Sequence, residues 1–187
     1  GGGGPAGAGG GGGGGEGGGG GGVRKRGGGG GGVCDVWEMA ERDQVPSRYT
    51  VGAGQALPHP LPGSGAAADL FILGPNRFHR RLISAGLAFS VGVEMVGGAP
   101  GLQFENLHSA PLVLTISDQA YGAPPQTVQP DAGERRVLPL DLAGSYGWYD
   151  LKCETEGQIW RLAGHIEDGQ ASFSDPAGGG PGALRWS

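Results

Sequence analysis

One stretch near the end of this chain constrains it most, because a degraded copy of its first half appears earlier in the sequence. The later segment, Gly147 to Pro176, reads GWYDLKCETEGQIWRLAGHIEDGQASFSDP, and the earlier one, Asp69 to Gly86, reads DLFILGPNRFHRRLISAG. In both, an Asp-Leu pair opens a short apolar run, a Gly-containing turn follows, and an aromatic-Arg-Leu strand ends at Ala-Gly. Leu70 and Leu151 stand 81 residues apart. Upstream, Tyr-Thr-Val-Gly-Ala-Gly at 49–54 answers Thr-Val-Gln-Pro-Asp-Ala-Gly at 127–133, and Leu-Pro recurs after each. Self-similarity over such a length predicts tandem modules.

The periodicity inside the modules is that of strands. Leu112, Leu114 and Ile116 alternate with Val113, Thr115 and Ser117, and Tyr149, Leu151 and Cys153 alternate with Asp150, Lys152 and Glu154. A period of two is the signature of half-buried strands. Further strands are predicted at 33–38, 48–52, 69–73, 78–83, 87–95, 101–106, 135–140 and 158–162. Turn-rich connectors separate them at 58–65, 74–76, 97–101 and 122–125, and helical periodicity is nearly absent. Short strands spaced by turns predict an all-β fold, a small β-sandwich module.

The two copies are unequal. The second, 87–177, contains two or three strands before its Ala-Gly turn, whereas the first, 33–86, retains only Val33 to Glu38 there. The expectation is one nearly complete module preceded by a truncated one, with an unpaired edge and an uncovered apolar face. Residues 1–32 hold 24 of the 45 glycines and read as a disordered Gly-rich tail, and 178–187 reads as a second disordered tail.

Outside residues 1–32, 10 basic and 17 acidic residues remain, with no long cationic stripe. The cluster Arg24-Lys25-Arg26 is too short to argue a nucleic-acid partner, and the acidic balance disfavours anionic membranes. No apolar run reaches the roughly 18 residues of a transmembrane span. The start of the chain also lacks a signal-peptide pattern. Cys34 and Cys153 fall in different copies and read as two buried, small apolar side chains. Two cysteines define no disulfide framework, although a Cys34–Cys153 bridge stays open to an exported chain of suitable geometry.

His165-Ile166-Glu167-Asp168, followed by Ser172, Ser174 and Asp175, is the polar cluster dense enough to resemble an active site. No G-x-S-x-G context surrounds either serine, and His165 with Glu167 makes only two of the ligands a zinc site needs. A structural role fits better: His165 and Glu167 bonding a strand end, and Ser174-Asp175-Pro176 capping a turn. Asn106-Leu107-His108-Ser109 reads as a β-turn with His108 exposed. Trp148, Tyr149, Trp160 and Tyr121 suit an aromatic platform for a sugar or a lipid headgroup, against which stands core packing, favoured by the inward position of Tyr149. The candidate binding surface comprises Trp148, Trp160, His165 and Glu167. No catalytic residue, metal site or cofactor is expected.

YTVGAGQAL, DLFILGPNRFHRRL, LQFENL, GWYDL and RLAGHIEDGQASFSDP, in this order over about residues 33 to 177, resemble the C-terminal repeats of bacterial phosphocholine-preferring phospholipases C. Arg77 stands where that family's turn usually has a second glycine. The resemblance implies two β-rich modules at the end of a large extracellular enzyme of lipid catabolism. Their partner is the phosphatase-like catalytic domain that cleaves phosphatidylcholine or sphingomyelin, and a lipid surface is a further one. The hydrolytic residues belong to that domain, so none carries over. The competing reading is a free-standing β-sandwich module that binds carbohydrate or protein.

Overall fold

The computed structural model describes residues 22–24, 32–39, 43, 45–52, 56–58, 67–75, 78–86, 88–166 and 173–178. Its strands are β1 (Gly22–Arg24), β2 (Gly32–Glu38), β3 (Ser47–Val51), β4 (Ala56–Pro58), β5 (Ala68–Leu73), β6 (His79–Ser84) and β7 (Phe89–Val96), then β8 (Ala99–Asn106), β9 (Leu114–Asp118), β10 (Gln126–Val128), β11 (Arg135–Pro139), β12 (Trp148–Thr155) and β13 (Gln158–His165). The helical content among the described residues is two short 3-10 turns, Ala143–Ser145 and Pro176–Gly178. The all-β expectation holds. Each predicted strand is present within a few residues, while β1, β4 and β10 are additions.

Eight strands form one antiparallel sheet in the order β10-β9-β12-β13-β6-β5-β2-β3. Read from either edge, the order visits corresponding strands of the two halves, and the registers correspond as well. Glu38 pairs with Leu70 and Asp118 with Leu151. Leu70 in turn pairs with Leu82, and Leu151 with Leu162. The halves meet where β6 pairs with β13, and at that seam Arg81 lies opposite Arg161. One upstream match differs from the sequence reading: Tyr49, opposite Cys34, takes the place of Val128, opposite Leu114. The displacement is two residues, which a period-two strand absorbs without turning its inward face.

Over the second half lies a three-stranded sheet, β11-β8-β7, which completes a sandwich. Phe89, Leu102 and Phe104 from it pack on Leu114, Ile116, Tyr149, Leu151, Cys153 and Leu162 of the large sheet. Hydrophobic burial of this kind is the main driving term for joining the layers. Gln158 ties them with polar bonds. Its Oε1 accepts from the N–H groups of Ala88 at 2.6 Å and Phe89 at 3.0 Å, and its Nε2 donates to the Phe89 carbonyl at 2.8 Å. Gly97 and Gly98, both with positive φ, make the tight β7–β8 turn.

The first half departs from the truncated expectation in two ways. Gly22–Arg24, inside the stretch expected to have no structure, pairs with β4 as β8 pairs with β11, so a three-residue stub stands where opening strands were expected to be missing. The apolar face is also covered: Cys34, Val36, Val51, Leu70 and Ile72 are 0–8% exposed. The rest of 1–32, and of 178–187 beyond Gly178, lies outside the described residues. Cys34 and Cys153 are buried thiols in separate clusters, one in each half, and are not bridged.

Candidate functional site

Inward and outward positions alternate along β12 and β13, and this sorts the candidate residues. Tyr149 points inward and lies directly opposite Gly164. A Cβ at Gly164 would stand 2.9 Å from the Tyr149 hydroxyl, so the AGH segment carries glycine where the GWYDL segment carries its tyrosine. Arg80, also inward, donates from Nη2 to the Tyr149 hydroxyl at 3.0 Å and from Nη1 to the carbonyls of His79 and Ala163. Its guanidinium lies 4.2 Å from the centre of the Phe78 ring. Arg80 thus links the cores of the two halves.

At the same end of the sheet a cleft of about 340 Å³ is lined by the outward residues His79, Trp148 and Asp150 together with Gly164, Tyr121 and Asp175. Three elements build it. Strands β6, β12 and β13 form its floor, the turn after β9 brings Tyr121, and the 173–178 segment crosses the sheet and brings Asp175. The turn after β9 is held by Asp118, whose carboxylate accepts the N–H groups of Ala120, Tyr121 and Ala123. Burial raises the Asp118 pKa, but bonds from these backbone groups and Gln119 outweigh it and hold the carboxyl below its usual range. The 173–178 segment is fixed at both sides. The Trp148 indole donates to the Phe173 carbonyl at 2.8 Å, and Tyr121 donates its hydroxyl proton to Asp175 Oδ1 at 2.9 Å.

Both carboxylates in the cleft are engaged, Asp150 by a cation and Asp175 by neutral donors. Asp150 is held bidentately by Arg161, at 3.0 Å to Nε and 2.7 Å to Nη2. Asp175 Oδ1 accepts from both the Tyr121 hydroxyl and the Ala177 N–H. Burial, with help from the neighbouring carboxylates, pushes the Tyr121 phenol well above its usual range, so it stays protonated. Desolvation lowers the pKa of half-buried His79, against a smaller opposing pull from Asp150, so its imidazole is favoured neutral. The cleft offers aromatic surface, neutral donors and acceptors, and two engaged carboxylates.

The sequence-derived surface of four residues is divided by the fold. Trp148 and His165 stand opposite each other on the outer face, with ring centres 4.7 Å apart. Trp160 faces the other way: it packs against the second-half core and donates to the Phe89 carbonyl at 3.2 Å. Glu167 lies outside the described residues. His165 Nε2 bonds the Tyr146 carbonyl at 3.0 Å, a strand-end contact as anticipated, and Asp175 caps its own turn. Asn106, read as a turn residue, is fully buried and donates to the carbonyls of Ala110, Pro130 and Asp131. His79 and Asp150 are cleft residues that the sequence reading did not single out, whereas Asp175 belonged to the polar cluster it weighed and set down as a turn cap. Among the described residues, no group of three or more His, Cys, Asp or Glu is placed to hold a metal ion.

No protein-family model matches the chain. It is 32% identical over 169 residues to the non-hemolytic phospholipase C of Pseudomonas aeruginosa, a match that covers 81% of this chain and 24% of that protein. It is 34% identical over 120 residues to the non-hemolytic phospholipase C of Burkholderia pseudomallei, covering 58% of this chain and 17% of that protein. The chain therefore spans about a quarter or less of the length of these curated relatives.

Proposed function

From the premise that this chain is homologous to the C-terminal part of the non-hemolytic phospholipases C, we propose that it is a non-catalytic accessory region of such an enzyme. The observation that carries this reading is the extent of the match: a quarter of the Pseudomonas aeruginosa protein accounts for most of this chain. Hydrolysis belongs to the remaining three quarters, and the β-rich region supports the folding of that catalytic part and its approach to lipid aggregates. Its setting is extracellular lipid catabolism. Among the described residues, no helix is long and apolar enough to cross a membrane.

The two halves are copies of one β-module, at 33–86 and 87–177. Supporting this are the matched strand order, the common spacing of cross-strand partners, and an ion pair in the same place in each hairpin, Asp69 with Arg81 and Asp150 with Arg161. The accessory reading is tested by deleting the matching region from the Pseudomonas aeruginosa enzyme. Hydrolysis of a soluble, short-chain phosphodiester substrate by the refolded remainder is expected to persist, with yield or activity on lipid aggregates reduced. Loss of turnover on the soluble substrate from a folded remainder would refute it.

A further inference from the structure

We propose that the outer-face cleft is a carbohydrate-binding site, taking a neutral sugar of mono- or disaccharide size between Tyr121, Trp148 and the 173–178 segment. Its volume of about 340 Å³ falls at the lower end of the range for small-ligand sites. Sugar rings combine an apolar face of C–H groups with a rim of hydroxyls, and the cleft answers both. Tyr121 and Trp148 supply aromatic surface. The rim is met by His79 and by Asp150, whose two oxygens accept one hydrogen bond each from Arg161 and keep further acceptor sites, with Asp175 alongside.

Charge decides against an ionic ligand. Asp150 is paired bidentately with Arg161, Asp175 accepts the Tyr121 hydroxyl and the Ala177 N–H, and His79 and Tyr121 are favoured neutral. An incoming cation would compete with Arg161 for Asp150 and with the Tyr121 and Ala177 donors for Asp175, and an anion would meet two carboxylates. A polyhydroxylated neutral ligand adds hydrogen bonds without disturbing either arrangement. The side chains are also held in advance: the Trp148 indole by Phe173 and His165, Tyr121 by Asp175 and by the Asp118-bonded turn. Such preorganisation lowers the ordering cost of binding.

The test uses the full chain labelled with nitrogen-15, titrated separately with cellobiose, maltose and diacetylchitobiose, and with tetramethylammonium as the cationic probe. The readout is the indole N–H resonance of Trp148, assigned by its absence in Trp148→Phe. The expected result is a saturable shift of that resonance with at least one disaccharide, unchanged by added salt. Tyr121→Ala should weaken it about tenfold, the value of one aromatic contact. Ala177→Leu, a change at an exposed lining position that leaves the core untouched, should abolish it. No shift with any disaccharide, a shift with tetramethylammonium alone, or undiminished sugar binding in folded Ala177→Leu would overturn the assignment.

Discussion

Arg81 and Arg161 are direct cross-strand partners at the seam between the halves, each held by an aspartate of its own hairpin. Like charges placed opposite one another in a sheet are unfavourable, so the pair depends on Asp69 and Asp150. The row Asp69–Arg81–Arg161–Asp150 crosses four strands of the outer face. Replacing Asp150 by Asn should lower stability by about 0.5–1 kcal/mol, the upper part of the range for partly exposed pairs. Adding Arg161→Gln to that variant should restore part of the loss, because the opposed cation is then gone. A double-mutant cycle by urea denaturation, run at low and high salt, measures the coupling.

Tyr149 sets a steric condition on Gly164. A methyl group there would stand 2.9 Å from the phenol oxygen, and the ring could retreat only by breaking its bond with Arg80. Gly164→Ala should therefore cost about 1–3 kcal/mol. Tyr149→Phe, which removes the oxygen that clashes, should recover part of it when combined. Thermal unfolding of the single and double variants checks this.

Gln158 satisfies three backbone groups at the start of β7. In Gln158→Leu the Ala88 and Phe89 N–H groups lose this partner inside the sandwich while the Phe89 carbonyl keeps the Trp160 indole, at a cost of about 1–3 kcal/mol. Amide exchange at Ala88 and Phe89 should accelerate in the same variant, while exchange in β2 and β5 stays slow.

Acid should weaken the fold through His79 first and Asp118 later. Burial lowers the folded pKa of His79 below its unfolded value near 6.5, despite Asp150 favouring the charged form, with Arg161 and Arg80 acting in the same sense as burial. Its contribution is complete above the unfolded pKa and is lost as pH falls through the folded one. Asp118, whose folded pKa lies below the ordinary 3.8, gives a contribution present above that value and lost in stronger acid. Denaturation midpoints from about pH 8 to about pH 5 should fall for the native chain and fall less for His79→Gln.

The two thiols should be inert in the folded chain. Burial pushes Cys153 up to about 12, and Cys34 is 1% exposed. Because the thiolate is the reacting form, a chromogenic disulfide reagent should detect no thiol before denaturation and two after it.

Much of this architecture was readable in local pattern. Alternation at Tyr149, Leu151 and Cys153 gave the correct inward face, since the pleat allows one assignment once one face is apolar. The same rule places Trp160 with Leu162 on the core side, so the information that separates it from Trp148 was present in the sequence. The opposition of Arg81 and Arg161 was not legible, because it depends on pairing between strands about 80 residues apart. The cleft was hidden for the same reason: Tyr121 and Asp175 meet across 54 residues through a turn and a crossing segment. Asn106 looked like an exposed turn residue because its side chain bonds to His108 locally, while its buried bonds reach residues 110 to 131.

The proposal that this chain is a non-catalytic accessory part of a phospholipase C predicts no turnover by the chain alone. The direct measurement is diacylglycerol release from phosphatidylcholine vesicles by the purified, folded chain. The expected rate equals that of buffer, whatever the pH or added divalent cation. Sustained release that scales with protein concentration and survives repurification would contradict the account.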